Sequence, residues 1–120
     1  MSGFTPILQE LVERVPGAIG AIFVDWDGEA VSQFATSLPE LEIQIVGAQW
    51  GVVWTQTLKA LRRAGLGGPV ELMVDGTNGS VVVRQVTENY YVVLSLRRGT
   101  HLAKALSELD RGVAALRAEM

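Results

Sequence analysis

A chain of 120 residues and 12.9 kDa fits one domain spanning 1–120, large enough to fold on an apolar core alone. It has no cysteine and is 48% hydrophobic, which excludes a disulfide framework, a thiolate metal site, a cysteine nucleophile and a disordered chain. A net charge of −3 with a pI near 5.1 argues against nucleic-acid binding, while a mean hydropathy of +0.26 is high for a small monomer: either the polar face is thin or part of the surface is buried against something else.

The first element reads as a short helix with Thr5 as N-cap and Pro6 in the first turn, where its missing N–H costs nothing. Ile7, Leu8, Leu11, Val12 and Val15 form its apolar stripe, and Pro16-Gly17 ends it. Ala18–Trp26 reads as a buried strand, with Ile19, Ala21 and Phe23 on one face and Ile22 and Val24 on the other. Asp25-Trp26-Asp27-Gly28 is a hairpin turn with Gly28 suited to positive φ, and Glu29–Ala35 is the returning antiparallel strand. Ser37-Leu38-Pro39-Glu40 fits a capping box that opens a long helix over 38–64. Gly65 ends that helix beside Arg62 and Arg63. Val70–Asp75, Ser80–Thr87 and Tyr90–Arg97 are three more strands, separated by the turns at 75–79 and 88–89. Thr100 is the expected cap of a last helix striped by Leu102, Ala105 or Leu106, Leu109, Val113 and Leu116. Strands grouped as hairpins with helices between the groups indicate an α+β fold on an antiparallel sheet.

The long helix has two apolar sides. At 100° per residue, one broad stripe holds Ile43, Val46, Gly47, Trp50, Val53, Trp54, Leu58 and Leu61. The opposite side holds Leu41, Ile45, Ala48 and Val52. A helix lying on its own sheet needs one stripe, so over its first half this one is expected to be covered from both sides. Another helix of the chain could supply the second cover; a second subunit or a partner protein is favoured, because each terminal helix carries a single stripe for the other sheet face.

Residues that could carry chemistry have simpler uses. His101 is the sole histidine, and without a Gly-x-Ser-x-Gly elbow a serine triad has no support. Asp25, Asp27 and Glu29 imitate part of a calcium loop whose remaining ligands are missing, and they suit a hairpin turn; Asp75 and Asn78 are read the same way. Gly65-Leu66-Gly67-Gly68 follows a helix and leads to Pro69, the reverse of a phosphate-binding loop. Arg62-Arg63 and Arg97-Arg98 are basic pairs, of which an arginine finger is the sharper reading and a solvated helix or strand end the plainer one. Neither a metal nor a cofactor is expected. The apolar stretches 15–24 and 43–58 are too short or too interrupted to span a bilayer. The N-terminus lacks signal-peptide features, so the expected location is the cytoplasm. Residues 1–60 carry seven acids and two bases, whereas 61–120 carry eight bases and six acids.

The segment Val15-Pro16-Gly17-Ala18-Ile19-Gly20-Ala21-Ile22-Phe23-Val24-Asp25-Trp26-Asp27-Gly28 resembles the opening of Roadblock domains, the dynein light-chain type: a short helix, Val-Pro-Gly, a strand and an Asp-x-Asp-Gly-like hairpin. The element order and length after it are similar too. The resemblance implies a five-stranded antiparallel sheet, α-β-β-α-β-β-β-α, with the long helix on one face and two terminal helices on the other. It implies a homodimer joined through the third strand, here the edge 70–74 with Val70, Leu72 and Val74, and with the long helix at the dyad. The dimer or partner interface would then comprise those three residues together with Leu41, Ile45, Ala48, Val52, Trp50 and Trp54. Family members are non-enzymatic platforms for small Ras-like GTPases or dynein-associated subunits. Bacterial MglB proteins activate hydrolysis by a partner GTPase, MglA, that controls cell polarity and motility. The implied function is a homodimeric adaptor that binds and regulates a small Ras-like GTPase. The alternatives are a profilin- or longin-like ligand-sensing domain, with a pocket at Trp50 or Trp54, and a purely structural assembly subunit.

Overall fold

The computed structural model describes residues 3–36 and 38–120, save for the side chains of residues 40 and 41. The elements run α1 (Phe4–Arg14), β1 (Ala18–Asp25), β2 (Ala30–Ala35), α2 (Glu40–Arg63), β3 (Glu71–Asp75), β4 (Gly79–Thr87), β5 (Tyr90–Arg97) and α3 (Leu102–Glu119). The five strands form one antiparallel sheet in the order β2-β1-β5-β4-β3. Tight turns join β1 to β2, β3 to β4 and β4 to β5, and α2 carries the chain from the β2 edge to β3 at the opposite edge. This is the α+β architecture expected from the sequence.

Alternation along the strands divides the core in two. Ala21, Phe23, Val82, Val86, Val92 and Leu94 face α1 and α3, where they meet Leu8, Leu11, Leu109 and Leu116. Ile22, Val24, Val83, Tyr91 and Val93 face α2 and form one cluster with Ile43. The terminal helices therefore share one sheet face and α2 has the other. Gly112 of α3 faces Leu11 of α1, where a Cβ would stand at an ordinary contact distance of 3.5 Å from Leu11 Cδ2. Phe4 and Tyr90 both pack on the Phe23 ring, at 5.0 and 5.5 Å between centroids. Among the described residues, no helix is long and apolar enough to cross a membrane.

Local details depart from the sequence reading at the caps. Thr5 does not cap α1: the N-cap is Gly3 without a side-chain bond, and the Thr5 hydroxyl instead meets the Ser32 hydroxyl of β2 at 2.6 Å. Thr100 donates to the Arg97 carbonyl at 2.7 Å, while His101 caps α3, its Nδ1 accepting the Lys104 N–H at 3.2 Å. In both cases the hydroxyl finds a nearer acceptor or partner than the helix N–H groups. Ser37 and the Glu40 side chain lie outside the described residues, but α2 starts at Glu40 with Pro39 at its N-cap, two residues later than the expected start at 38, because the extended backbone of Pro39 is not helical. The end of α2 follows expectation: Gly65 turns to φ +75°, its N–H bonds to Arg62 O, and Leu66 N–H bonds to Leu61 O. That pair of bonds is a Schellman motif.

Two further expectations fail. Ile19 does not face the same way as Ala21 and Phe23, because the pairing of β1 with β5 shifts between Ala18 and Gly20. Ala18 takes the place in the α1–α3 cluster. Leu102 is exposed, and the buried face of α3 includes Glu108 instead. The Glu108 carboxylate, 5% exposed, lies 3.0 Å from Lys104 Nζ, 3.6 Å from Arg14 Nη1 of α1 and 3.7 Å from Arg111 Nε. The Lys104 hydrogen bond, opposed by burial and helped by the three cations, holds this carboxyl below the ordinary glutamate range.

Candidate interaction surface

The seat of α2 is made by small residues. A Cβ at Gly47 would stand 2.7 Å from Ile22 Cδ1, and one at Gly51 would stand 2.3 Å from the Tyr91 hydroxyl oxygen and 3.5 Å from Gly28 Cα. Glycines one turn apart thus let the helix settle against β1 and the β1–β2 turn. Beside them Trp54 stacks on Tyr91, with ring centroids 5.8 Å apart and planes 24° apart. The Tyr91 hydroxyl is buried with no hydrogen-bond partner among the described residues. Burial, with a smaller contribution from the Asp25 charge, pushes its pKa up to about 12. It therefore stays protonated at neutral pH.

The contacts of α2 identify its flanks. Trp50 borders an open groove of about 290 Å³ with Val74, Val81 and Ile19, so this flank faces the β3 side of the sheet. Val46 and Val53, four residues before and three after Trp50, belong to the same flank, and Val53 is exposed. Ala48 touches Gly28 on the other flank. Ile45 and Val52 point away from the sheet, with Val52 64% exposed.

The residues singled out from sequence fall into three groups. Trp50, Trp54 and Leu72 pack onto the α2-side core. Ile45, Ala48 and Val52 are exposed on α2. Val70 and Val74 are exposed at the β3 edge, Val70 at 68%. The Leu41 side chain lies outside the described residues. No element of the described chain covers the second apolar side of α2, because α1 and α3 are held on the opposite sheet face.

Strand β3 is an edge, hydrogen-bonded to β4 alone. It is held firmly: Arg84 of β4 donates through Nε to Glu71 at 2.8 Å and also binds Asp110 of α3. Burial opposes the charge of Arg84, but these carboxylates outweigh it and raise the guanidinium pKa. Leu72 and Val74 consequently face the α2 side, and Glu71 the α3 side. The outer backbone groups of β3 lack strand partners within the described chain, an arrangement that invites strand addition.

Sequence reasoning missed Gly51, Tyr91 and Trp26 as determinants of this surface. A glycine in helical spacing with Gly47 was the available signal for the first; Tyr91 depends on β5 lying beneath α2, and Trp26 on where the β1–β2 turn meets the side of α2. Polar clusters considered for chemistry have structural uses. Asp25 Oδ1 accepts the N–H groups of Asp27 and Glu29, each at 3.0 Å, and Asp75 accepts the Ser80 hydroxyl. Among the described residues, no cluster of His, Asp and Glu is placed to hold a metal ion.

No protein-family profile matches the sequence, and no curated protein matches it. Solved structures do. A Roadblock/LC7 domain from Streptomyces avermitilis superposes with a TM-score of 0.86 at 18% identity, covering 93% of this chain and 92% of that one. MglB from Myxococcus xanthus gives 0.87 at 12% identity, covering 96% and 92%. An MglB with a tetrameric arrangement gives 0.84 at 18% identity, covering 94% and 84%. Profilin II from Acanthamoeba castellanii, at 11% identity and coverages of 97% and 98%, reaches only 0.65. With its sheet order, its single long helix on one face and its paired terminal helices on the other, the chain has the Roadblock/LC7 fold.

Proposed function

We propose that this chain is a non-enzymatic, cytoplasmic adaptor that forms a homodimer and regulates a small Ras-like GTPase. The observation that carries the reading is an α2 alone on its sheet face, apolar on its open sides, beside an apolar and unpaired β3 edge. The two flanks of α2 suggest a division of labour. The flank bearing Val46, Trp50 and Val53 adjoins β3, so a second copy added along β3 would bring its own α2 against that flank. Ile45 and Val52, pointing outward, would remain for the GTPase. The fold likeness to MglB supports a regulator of this kind, through activation or scaffolding, with cell polarity or motility as the setting.

The test has two parts. Light scattering at micromolar concentration is expected to give twice the chain mass, and a stable monomer would overturn the assembly. GTP hydrolysis by each small Ras-like GTPase of the same genome is then measured with and without the chain, alongside direct binding. Binding or a rate change lost on Ile45→Asp/Val52→Asp is the expected result; no binding to any candidate would leave the purely structural subunit as the better reading.

A further inference from the structure

We infer that the groove between Trp26 and α2 is a docking site for a basic segment of a partner protein that carries an aliphatic or aromatic side chain next to its cation. This goes beyond the dimer and GTPase reading; it shares Val52 with the outward face assigned to the GTPase, and Trp26 and Asp27 are what set it apart. Trp26 is 65% exposed, and the turn does not need it: the turn is closed by Gly28 N–H to Asp25 O and by the two bonds to Asp25 Oδ1. The indole belongs to neither core cluster. It walls a groove of about 210 Å³ against Ala48, Val52 and Thr55. At roughly 30 Å³ per liquid water, that is the space of about seven waters, or of one long side chain. Its lining includes Gly28 and Gly51, neither of which has a side chain to fill it.

Charge selects the occupant. Asp27 lines the groove and Glu29 is exposed beside it. Trp26 N–H bonds to Asn89 O at 3.0 Å, which draws the β4–β5 turn and exposed Glu88 to the same end of the molecule. Residues 25–29 and 88–89 contain no base; Lys59 stands one turn beyond Thr55, at the far end of the groove. An arginine or lysine can therefore meet Asp27 while lying over the indole face, and its apolar neighbour can cover Val52. A second copy of this chain is a poor occupant, since a two-fold contact here would set Asp27 and Glu29 against the same residues of the other copy. Exposed tryptophan in a fixed apolar notch is the kind of anchor that dominates interface energetics.

A random 12-residue peptide library is panned against the intact protein, and enriched peptides are titrated by amide NMR. The expected peptides carry arginine or lysine beside leucine, isoleucine or an aromatic residue, and they shift the amides of 26–29 and 48–55. Affinity falls at least tenfold in Trp26→Ala and in Asp27→Lys/Glu29→Lys, and is unchanged in Val74→Ala. Enrichment of acidic or uncharged peptides, shifts confined to other surfaces, undiminished binding to Trp26→Ala, or no enrichment over an unrelated control protein would each overturn the inference.

Discussion

At the residue scale, the tightest fit in the seat of α2 is between Gly51 and Tyr91. The hydroxyl oxygen occupies the space a Cβ at 51 would need, and it is itself a buried polar group without a partner. Alanine at 51 gains about 1 kcal/mol of helix propensity, but forcing a methyl into this contact costs about 1–3 kcal/mol. Gly51→Ala is expected to destabilise the fold in urea titrations. Tyr91→Phe removes the orphaned hydroxyl while keeping the ring on Trp54, so it should be neutral or stabilising by about 1 kcal/mol. In the Tyr91→Phe background the cost of Gly51→Ala should largely vanish, and a double-mutant cycle reads that coupling directly. The same hydroxyl sets an alkaline limit. Its folded pKa, about 12, lies above the ordinary tyrosine value of about 10, so the neutral form is favoured by folding. That contribution is whole below pH 10 and is lost as pH rises through 12. Wild type should therefore lose stability across this window more steeply than Tyr91→Phe, as measured by denaturant midpoints.

At the element scale, α1 and α3 are tied by a charge cluster in which a buried Glu108 meets partly exposed cations. Glu108 is the only anion facing Arg14, Lys104 and Arg111 among the described ion pairs of that cluster, apart from Glu10, which bridges Arg14 from outside at 2.9 Å. Because its folded pKa is depressed, its contribution is present above the unfolded value of about 4.3 and disappears as pH falls toward and through the folded value. Stability of the wild type should drop between pH 5 and 3 more than that of Glu108→Gln, with circular dichroism melts as the readout. Glu108→Gln should also be less stable at pH 7, since it leaves three cations around a neutral amide. Elements of this kind mark the boundary of what the sequence discloses. Helices and strands were legible because period 3.6 and period 2 are local, and α2 ends where Gly65 says it must. Ile19 was misplaced because the irregular pairing of β1 with β5 is set by a strand about 75 residues away in the chain. Glu108 was invisible for the same reason: its partner Arg14 comes from a separate element. The double-sided α2 was legible, and so was its want of an intramolecular cover. Its flanks were not, because the direction of each flank depends on where Gly28 and Val74 lie.

At the scale of the whole molecule, much of the apolar surface left exposed lies on α2 and at the β3 edge. The described chain has 22 buried hydrophobic residues, so the core is well supplied without them, and Ile45, Val52, Val53, Val70, Met73 and Val74 remain exposed. These residues separate by direction. Val53 and Val74 look toward the open side of the sheet beyond Trp50, and Val52 looks away from the sheet. If a second copy adds along β3, Val74 is buried at the seam and Val52 is not. A carboxylate at 74 would then have to be desolvated, at several kcal/mol for an unpaired ion, and 3 kcal/mol corresponds to about a hundredfold in affinity. Val74→Asp should accordingly weaken self-association about a hundredfold or more in sedimentation equilibrium, while Val52→Asp leaves the dimer within twofold of wild type. The opposite pattern would place the second copy on the outer face of α2 and leave β3 free. Both positions are exposed in the single chain, so neither substitution disturbs its core, and the comparison reports on assembly alone.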